Sequence, residues 1–183
     1  LVIFLHGAGT RCETTDLLRN NISFLNLQKR QTERGYILLA PLCSVNNWNE
    51  IMSSVIELVG EARTWNFIQT KRVYLTGNSM GGYGTWNLLM NHPDMFAGAV
   101  PMCSGGDPTK ASVIKDIPIW AVHGALDSTV PVEGSRLMAN ALQAAGAKDF
   151  HYTEIPNANH DVWTYTFSNT EIFLWLFSQQ KGQ

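Results

Sequence analysis

Ser79 stands in the stretch VYLTGNSMGGYGTW, residues 73 to 86, between Gly77 and Gly81, with Gly82 and Gly84 close behind. A hydroxyl in that setting is either a turn residue that caps a helix or a nucleophile held on a strained corner. A sharp turn from strand to helix forces its central residue into an unfavourable backbone conformation, and the neighbours must lack a β-carbon. The helix that follows aims its free amides and its positive dipole end back at the hydroxyl. Both readings need the glycines, so an isolated Gly-x-Ser-x-Gly decides nothing. A serine becomes nucleophilic when a base takes its proton and a third group orients that base. The question passes to where the chain places a histidine and an acid.

Short apolar runs of strand length occur at 1–5 (LVIFL), 36–40 (YILLA), 72–76 (RVYLT), 97–102 (AGAVPM), 118–122 (PIWAV) and 149–155 (DFHYTEI). Most are continuously apolar, as strands of a parallel sheet covered on both faces must be. Helical patterns alternate with them. Ile51, Val55, Leu58, Ala62 and Trp65 make one amphipathic stripe. The segment 132–145 ends at Gly146, a natural C-terminal cap, and 79–91 stops before His92-Pro93, where proline forbids continuation. Ile172, Trp175 and Leu176 give a last helix an apolar face. The alternation predicts a single α/β domain over 1–183 with βαβ crossovers. In such sheets, sites form beyond the carboxyl ends of the strands.

Three strand ends carry the chemistry. Gly77-Asn78-Ser79-Met80-Gly81 follows the third run, His123-Gly124-Ala125-Leu126-Asp127 the fifth, and Asn159-His160-Asp161 the sixth. The order serine, aspartate, histidine along one sheet edge favours the nucleophile reading. His160 is then the general base that takes the Ser79 proton, and Asp127 orients it. Asp107 follows the wrong strand for that role, and Asp161 adjoins His160 too closely in sequence to reach its ring. The amides of Met80 and of Ala8, in the turn His6-Gly7-Ala8-Gly9, are the expected oxyanion donors.

The segments LVIFLHGAG, KRVYLTGNSMGGYGTWNLLMNHPDMFAGAVPMCSGG, PIWAVHGALDSTVP and NANHDVW together resemble an α/β-hydrolase carboxylesterase. The likeness is to compact bacterial esterases related to polyhydroxybutyrate depolymerases and feruloyl esterases. It spans nearly the whole chain and is weakest over 10–35 and in the loop after Pro41. It implies a mainly parallel sheet of about six strands with helices on both faces, its early strands truncated. With no lid-sized insertion after the fourth strand, the site should be open to water. The implied substrate is a small or polymer-borne carboxylic ester, short-chain in the first instance, and secretion or a periplasmic location is favoured. Feruloyl, acetyl-xylan and polyester substrates remain alternatives. So does a prolyl-oligopeptidase-like peptidase, which shares the HGxxDxxVP-like segment around Asp127. A binding module on an inactive hydrolase scaffold is the non-enzymatic alternative, and such modules usually lose one of the three residues retained here.

The remaining chemistry-bearing residues read as structural. His6 and His123 precede glycines at strand ends, where loop backbone is the expected partner; His92 ends a helix and His151 sits in a strand. No metal set, and so no metal or other cofactor, is expected from them. Trp65, Trp120, Trp175 and Phe173 fall on core faces, whereas Trp48 and Trp163 lie in loops and either line an acyl or alcohol pocket or anchor those loops. Cys12, Cys43 and Cys103 are too few for a disulfide scaffold, and a Cys12–Cys43 bridge stays open. Thirteen Lys and Arg against fifteen Asp and Glu give a formal net charge of −2, which offers no attraction to nucleic acid or to an anionic membrane. No apolar run approaches the roughly 20 residues of a membrane span. The chain opens inside LVIFL without an initiating Met, so processing or truncation upstream is expected.

Overall fold

The computed structural model describes residues 1–182. Six parallel strands form one sheet: β1 (Val2–Leu5), β2 (Leu38–Leu39), β3 (Tyr74–Asn78), β4 (Gly98–Met102), β5 (Ile119–Gly124) and β6 (Phe150–Ile155). Their order across the sheet is β2-β1-β3-β4-β5-β6, so the chain winds outward in both directions from β1. Every strand falls within or beside a run that the apolar pattern marked. The reason is burial: β1, β3 and β4 have no exposed residue. Among the described residues, eight helices connect or flank the strands: α1 (Asp16–Arg19), α2 (Ile22–Arg34), α3 (Met52–Ala62), α4 (Met80–Asn91), α5 (Ala111–Ile114), α6 (Glu133–Ala144), α7 (Trp163–Ser168) and α8 (Thr170–Ser178).

Two cores lie on the two faces of the sheet. One joins Ile3, Leu5, Leu75 and Ile119 to α3, α4 and α6 through Val55, Val59, Trp86, Leu89 and Met138. The other joins Phe4, Tyr74 and Val122 to α2, α7 and α8 through Leu27, Phe167, Ile172 and Leu176. Strand residues thus alternate between helices on opposite sides, which is why their sequence is apolar without interruption.

Some elements differ from expectation. The buried stripe of α3 runs through Val55, Val59 and Ala62, with Leu58 only half-buried. Helix α2 arises in the segment of weakest resemblance. It carries few apolar residues but has clear end signals: Asn21 Oδ1 accepts from the Phe24 amide at 3.0 Å, and Gly35 closes it at φ 68°. Its Arg30 also donates to the Phe167 carbonyl at 3.0 Å, tying it to α7. Gly146, at φ 76°, closes α6 as predicted; its amide donates to Gln143 O at 3.1 Å and the Ala147 amide to Leu142 O at 3.0 Å. The three cysteines are free thiols, so the Cys12–Cys43 bridge does not form. Between β4 and β5 lie only the 3-10 turn Pro108–Lys110 and the four-residue α5, and no lid is present among the described residues. No described helix is long and apolar enough to cross a membrane.

Candidate active site

Ser79 occupies the corner between β3 and α4 at φ 56°, ψ −119°. A non-glycine residue there costs on the order of 1–3 kcal/mol and persists only where its surroundings over-determine it. They do: the Ser79 amide donates to Met102 O and its carbonyl accepts from the Tyr83 amide, both at 3.0 Å. The flanking glycines allow α4 to sit directly on the sheet. A β-carbon on Gly81 would fall on the Leu5 carbonyl, and one on Gly77 would fall on the Gly81 carbonyl. Thr85 Oγ1 reinforces this contact by donating to Gly81 O at 2.9 Å.

Asp127 lies in the loop after β5, its side chain fully buried. Oδ1 accepts from the amides of Thr129 (2.9 Å) and Val130 (2.8 Å). Burial pulls the carboxyl's pKa up, but the Val130 amide, the His160 ring and the Thr129 amide outweigh it and hold the pKa below its ordinary value. His160 comes from the loop after β6, and backbone packing sets the two loops together. A β-carbon on Gly124 would collide with the carbonyls of Ala158 and Asn159. The Leu126 amide donates to Ala158 O at 3.0 Å, and Asn159 Oδ1 accepts from the amides of Ser128 (3.0 Å) and His160 (2.9 Å).

The three sequence candidates meet in one chain. His160 Nδ1 donates to Asp127 Oδ2 at 2.7 Å, which leaves Nε2 to accept from the Ser79 hydroxyl at 2.9 Å. That arrangement can draw the proton from Ser79 towards His160 while the carboxylate faces the ring's other nitrogen. Asp107 caps the 3-10 turn at 108–110 through Thr109, and Asp161 is exposed, so neither rival joins the chain.

Met80 is the first residue of α4, where backbone amides have no intrahelical acceptor. Ala8 opens the 3-10 turn Ala8–Thr10 and is exposed. The turn lies against the Ser79 corner: a β-carbon on Gly7 would sit 3.0 Å from Asn78 Nδ2 and 3.6 Å from Ser79 Cβ. His6 holds the turn. Its Nδ1 donates to Gly7 O at 2.9 Å and its Nε2 accepts from the Cys43 amide at 3.0 Å, while burial lowers its pKa and keeps the ring neutral. The loop-backbone role expected of His6 is the one observed.

The two loop tryptophans part company. Trp48 is 1% exposed, its indole N–H donates to His6 O at 3.0 Å, and its ring meets the His6 ring edge-on at 5.0 Å. It is therefore a packing residue beneath the turn and has no surface to offer a ligand, contrary to the pocket-lining alternative. Trp163 is half-buried, with its ring perpendicular to that of His160 at 5.5 Å, and remains a candidate wall.

Sequence reasoning missed two residues here. Cys103, at φ 47° after β4, is buried, and its thiol donates to His160 O at 2.9 Å. His123, expected to bond only loop backbone, instead reaches Asp127 Oδ2 at 3.1 Å and Ser135 Oγ at 2.7 Å as well as Val130 O. The spacing His123–x3–Asp127 was visible, but nothing in it fixes a ring's direction. Cys103, His123 and Asp127 bring potential ligand atoms within 4.8 Å of one another, all of them engaged in the hydrogen bonds just described.

Comparison with known proteins bears on the fold and the family. Residues 43–177 match the model of the phospholipase/carboxylesterase family. The fold superposes on a thermostable esterase with a TM-score of 0.89 and 36% identity, covering 98% of this chain and 54% of that one. Est1E from Butyrivibrio proteoclasticus shares the fold at a TM-score of 0.72 and 15% identity, over 97% and 88% of the two chains. Among curated sequences, a bifunctional acetylxylan esterase/xylanase of Neocallimastix patriciarum is 35% identical over 42% of this chain and 11% of its own length. A secreted protein of Arthroderma benhamiae is 32% identical over 55% of this chain and 14% of its own. The chain thus spans a small part of these curated relatives and about half of the thermostable esterase. A six-stranded parallel α/β sheet, a serine at its strand–helix corner and a family match over residues 43–177 place the chain in the phospholipase/carboxylesterase family of α/β-hydrolases.

Proposed function

We propose that residues 1–183 form the catalytic domain of a serine carboxylesterase acting on short-chain esters. The observation that carries the reading is the chain Ser79–His160–Asp127, with 2.9 and 2.7 Å links, built on a corner strained at Ser79. Ser79 Oγ attacks the ester carbonyl carbon as His160 Nε2 takes its proton. The tetrahedral oxyanion is held by the Ala8 and Met80 amides, and losing one such donor typically costs about 3–4 kcal/mol of transition-state stabilisation. His160 then returns the proton to the leaving alcohol, leaving an acyl group on Ser79. Water enters, His160 removes its proton, and the acid is released with the proton restored to Ser79. Asp127 holds the ring and stabilises its charged form in both halves of the cycle. Trp163 flanks the reacting carbonyl.

The test is turnover of a p-nitrophenyl ester panel by the wild type and Ser79→Ala. The wild type should prefer two- to four-carbon acyl chains, and Ser79→Ala should lose at least a thousandfold in kcat/KM. Near-wild-type turnover by Ser79→Ala would sink the mechanism. The likeness to an acetylxylan esterase supports a second, narrower reading, in which the acetyl group is carried on a polysaccharide. Release of acetate from acetylated xylan at a rate matching the small-ester rate would favour it.

A further inference from the structure

His123 ends β5 fully buried, and its hydrogen-bond partners allow its protons to be counted. Nε2 lies 3.1 Å from Asp127 Oδ2 and 3.0 Å from Val130 O. A carboxylate and a carbonyl only accept, so Nε2 carries a hydrogen. Nδ1 lies 2.7 Å from Ser135 Oγ, which lies 2.7 Å from Ser104 O. The Ser104 carbonyl also only accepts, so the single hydroxyl proton of Ser135 goes to it. Ser135 Oγ must then accept from Nδ1, which carries a hydrogen as well. A neutral imidazole would set lone pair against lone pair across one of the two 2.7 Å contacts, among residues that are all buried.

We propose that His123 is held as an imidazolium and acts as a positioning residue, its charge tuning His160 through the carboxylate oxygen the two rings share. The inference rests on His160 being the base of the proposed esterase reaction. His160 Nδ1 and His123 Nε2 both donate to Asp127 Oδ2, while Oδ1 is filled by two amides. The groups that face His123 are Asp127 on its own loop, Cys103 after β4, Ser135 on α6 and Glu154, its register partner on β6. Burial pushes the Cys103 thiol up to about 12, so it stays neutral. Glu154 is already bound by Arg136 and Tyr152, which leaves Asp127 as the counter-ion in contact with His123. A buried cation paired with a buried carboxylate satisfies the requirement that interior charges be compensated.

The consequence falls on His160. When it takes the Ser79 proton, Asp127 holds two cations on one oxygen. The His160 imidazolium is stabilised less than by an unshared carboxylate, and it surrenders its proton to the leaving alcohol more readily. His123 itself gains and loses no proton in the cycle.

His123→Gln tests this, because a neutral amide N–H can still donate to Asp127 in place of Nε2–H, so the charge is removed without stripping the carboxylate of that donor. Removing a cation beside His160 raises that ring's proton affinity, so the acid limb of the kcat/KM–pH profile on p-nitrophenyl acetate should move to higher pH. The scale is roughly one to two pH units, that of two unit charges about 6 Å apart at an effective dielectric of ~20. Should His123→Gln fail to fold, Ser135→Ala removes the acceptor of Nδ1–H and should move the limb in the same direction by less. An unmoved limb in a folded variant overturns the proposal. Nitrogen-15 spectra of histidine-labelled wild-type protein provide a readout that does not depend on catalysis. Two protonated ring nitrogens at neutral pH, assigned by their loss in His123→Gln or displacement in Ser135→Ala, are expected, and a single one refutes it. If Ser79→Ala remains active, the esterase reading fails, while the spectra still decide the charge of His123.

Discussion

Replacing Trp48 separates packing from substrate binding. Its side chain is 1% exposed, lies against the Gly84 backbone of α4 in the same core as Leu5, and gives its indole hydrogen to the His6 carbonyl. Trp48→Phe keeps an aromatic ring but strips that donor and leaves unfilled volume. A buried acceptor deprived of its partner costs about 1–3 kcal/mol. Taking roughly 2 kcal/mol, a chain of this size loses about 4–8 °C in Tm. Trp48→Ala removes the whole ring and should cost about 3–5 kcal/mol, roughly doubling the drop. Because His6 is continuous with the Gly7–Ala8 turn, both variants should also lower kcat. They should do so by a similar factor for acetate, butyrate and octanoate esters, since no acyl group touches the indole. Calorimetry or circular dichroism gives the Tm, and p-nitrophenyl ester kinetics give the ratios. An unchanged Tm together with a shifted chain-length preference would refute the packing assignment and restore Trp48 to the pocket.

Other expectations follow from close contacts and from charge. Gly81→Ala would drive a methyl group into the Leu5 carbonyl and pry α4 from β1; it should cost more than about 3 kcal/mol and abolish turnover, and a urea midpoint equal to wild type would contradict this. Asp127 has a folded-state pKa below its ordinary 3.8, so the native state binds its proton less readily than the unfolded chain. Its stabilisation is therefore present above about pH 4 and lost as pH falls through the lowered value, and Asp127→Asn should flatten the urea midpoint between pH 5 and 2. Among the thiols, half-exposed Cys12 should react with iodoacetamide at pH 8 in the folded protein; buried Cys43 and Cys103, both raised in pKa by burial, should react only after denaturation. Peptide mapping reads all three sites.

The sheet was legible because its residues face helices on both sides, and six apolar runs stand out against polar connections. The positions of Ser79, Asp127 and His160 were legible because a strand end is a place in sequence as well as in space. Helix α2 was not, since its few apolar residues give no stripe and its evidence lies in Asn21 and Gly35 at the ends. Trp48 misled because a tryptophan in a loop reads the same whether it faces solvent or folds under its neighbours. What turns it inward is the carbonyl of His6, some forty positions earlier. The network of His123, Ser135 and Ser104 was hidden for a related reason. Three segments supply its atoms, and only the packing of β5 against α6 and the end of β4 links them through two successive 2.7 Å contacts centred on Ser135.

The proposed esterase reaction requires that Ser79 be a nucleophile activated by His160. Incubating the folded protein with a fluorophosphonate and mapping the labelled peptide tests it most directly. One adduct is expected, on the peptide containing Ser79, formed at least a hundredfold more slowly in His160→Ala at unchanged fold. Absence of any adduct on folded wild-type protein, or an adduct on a different residue, would contradict it.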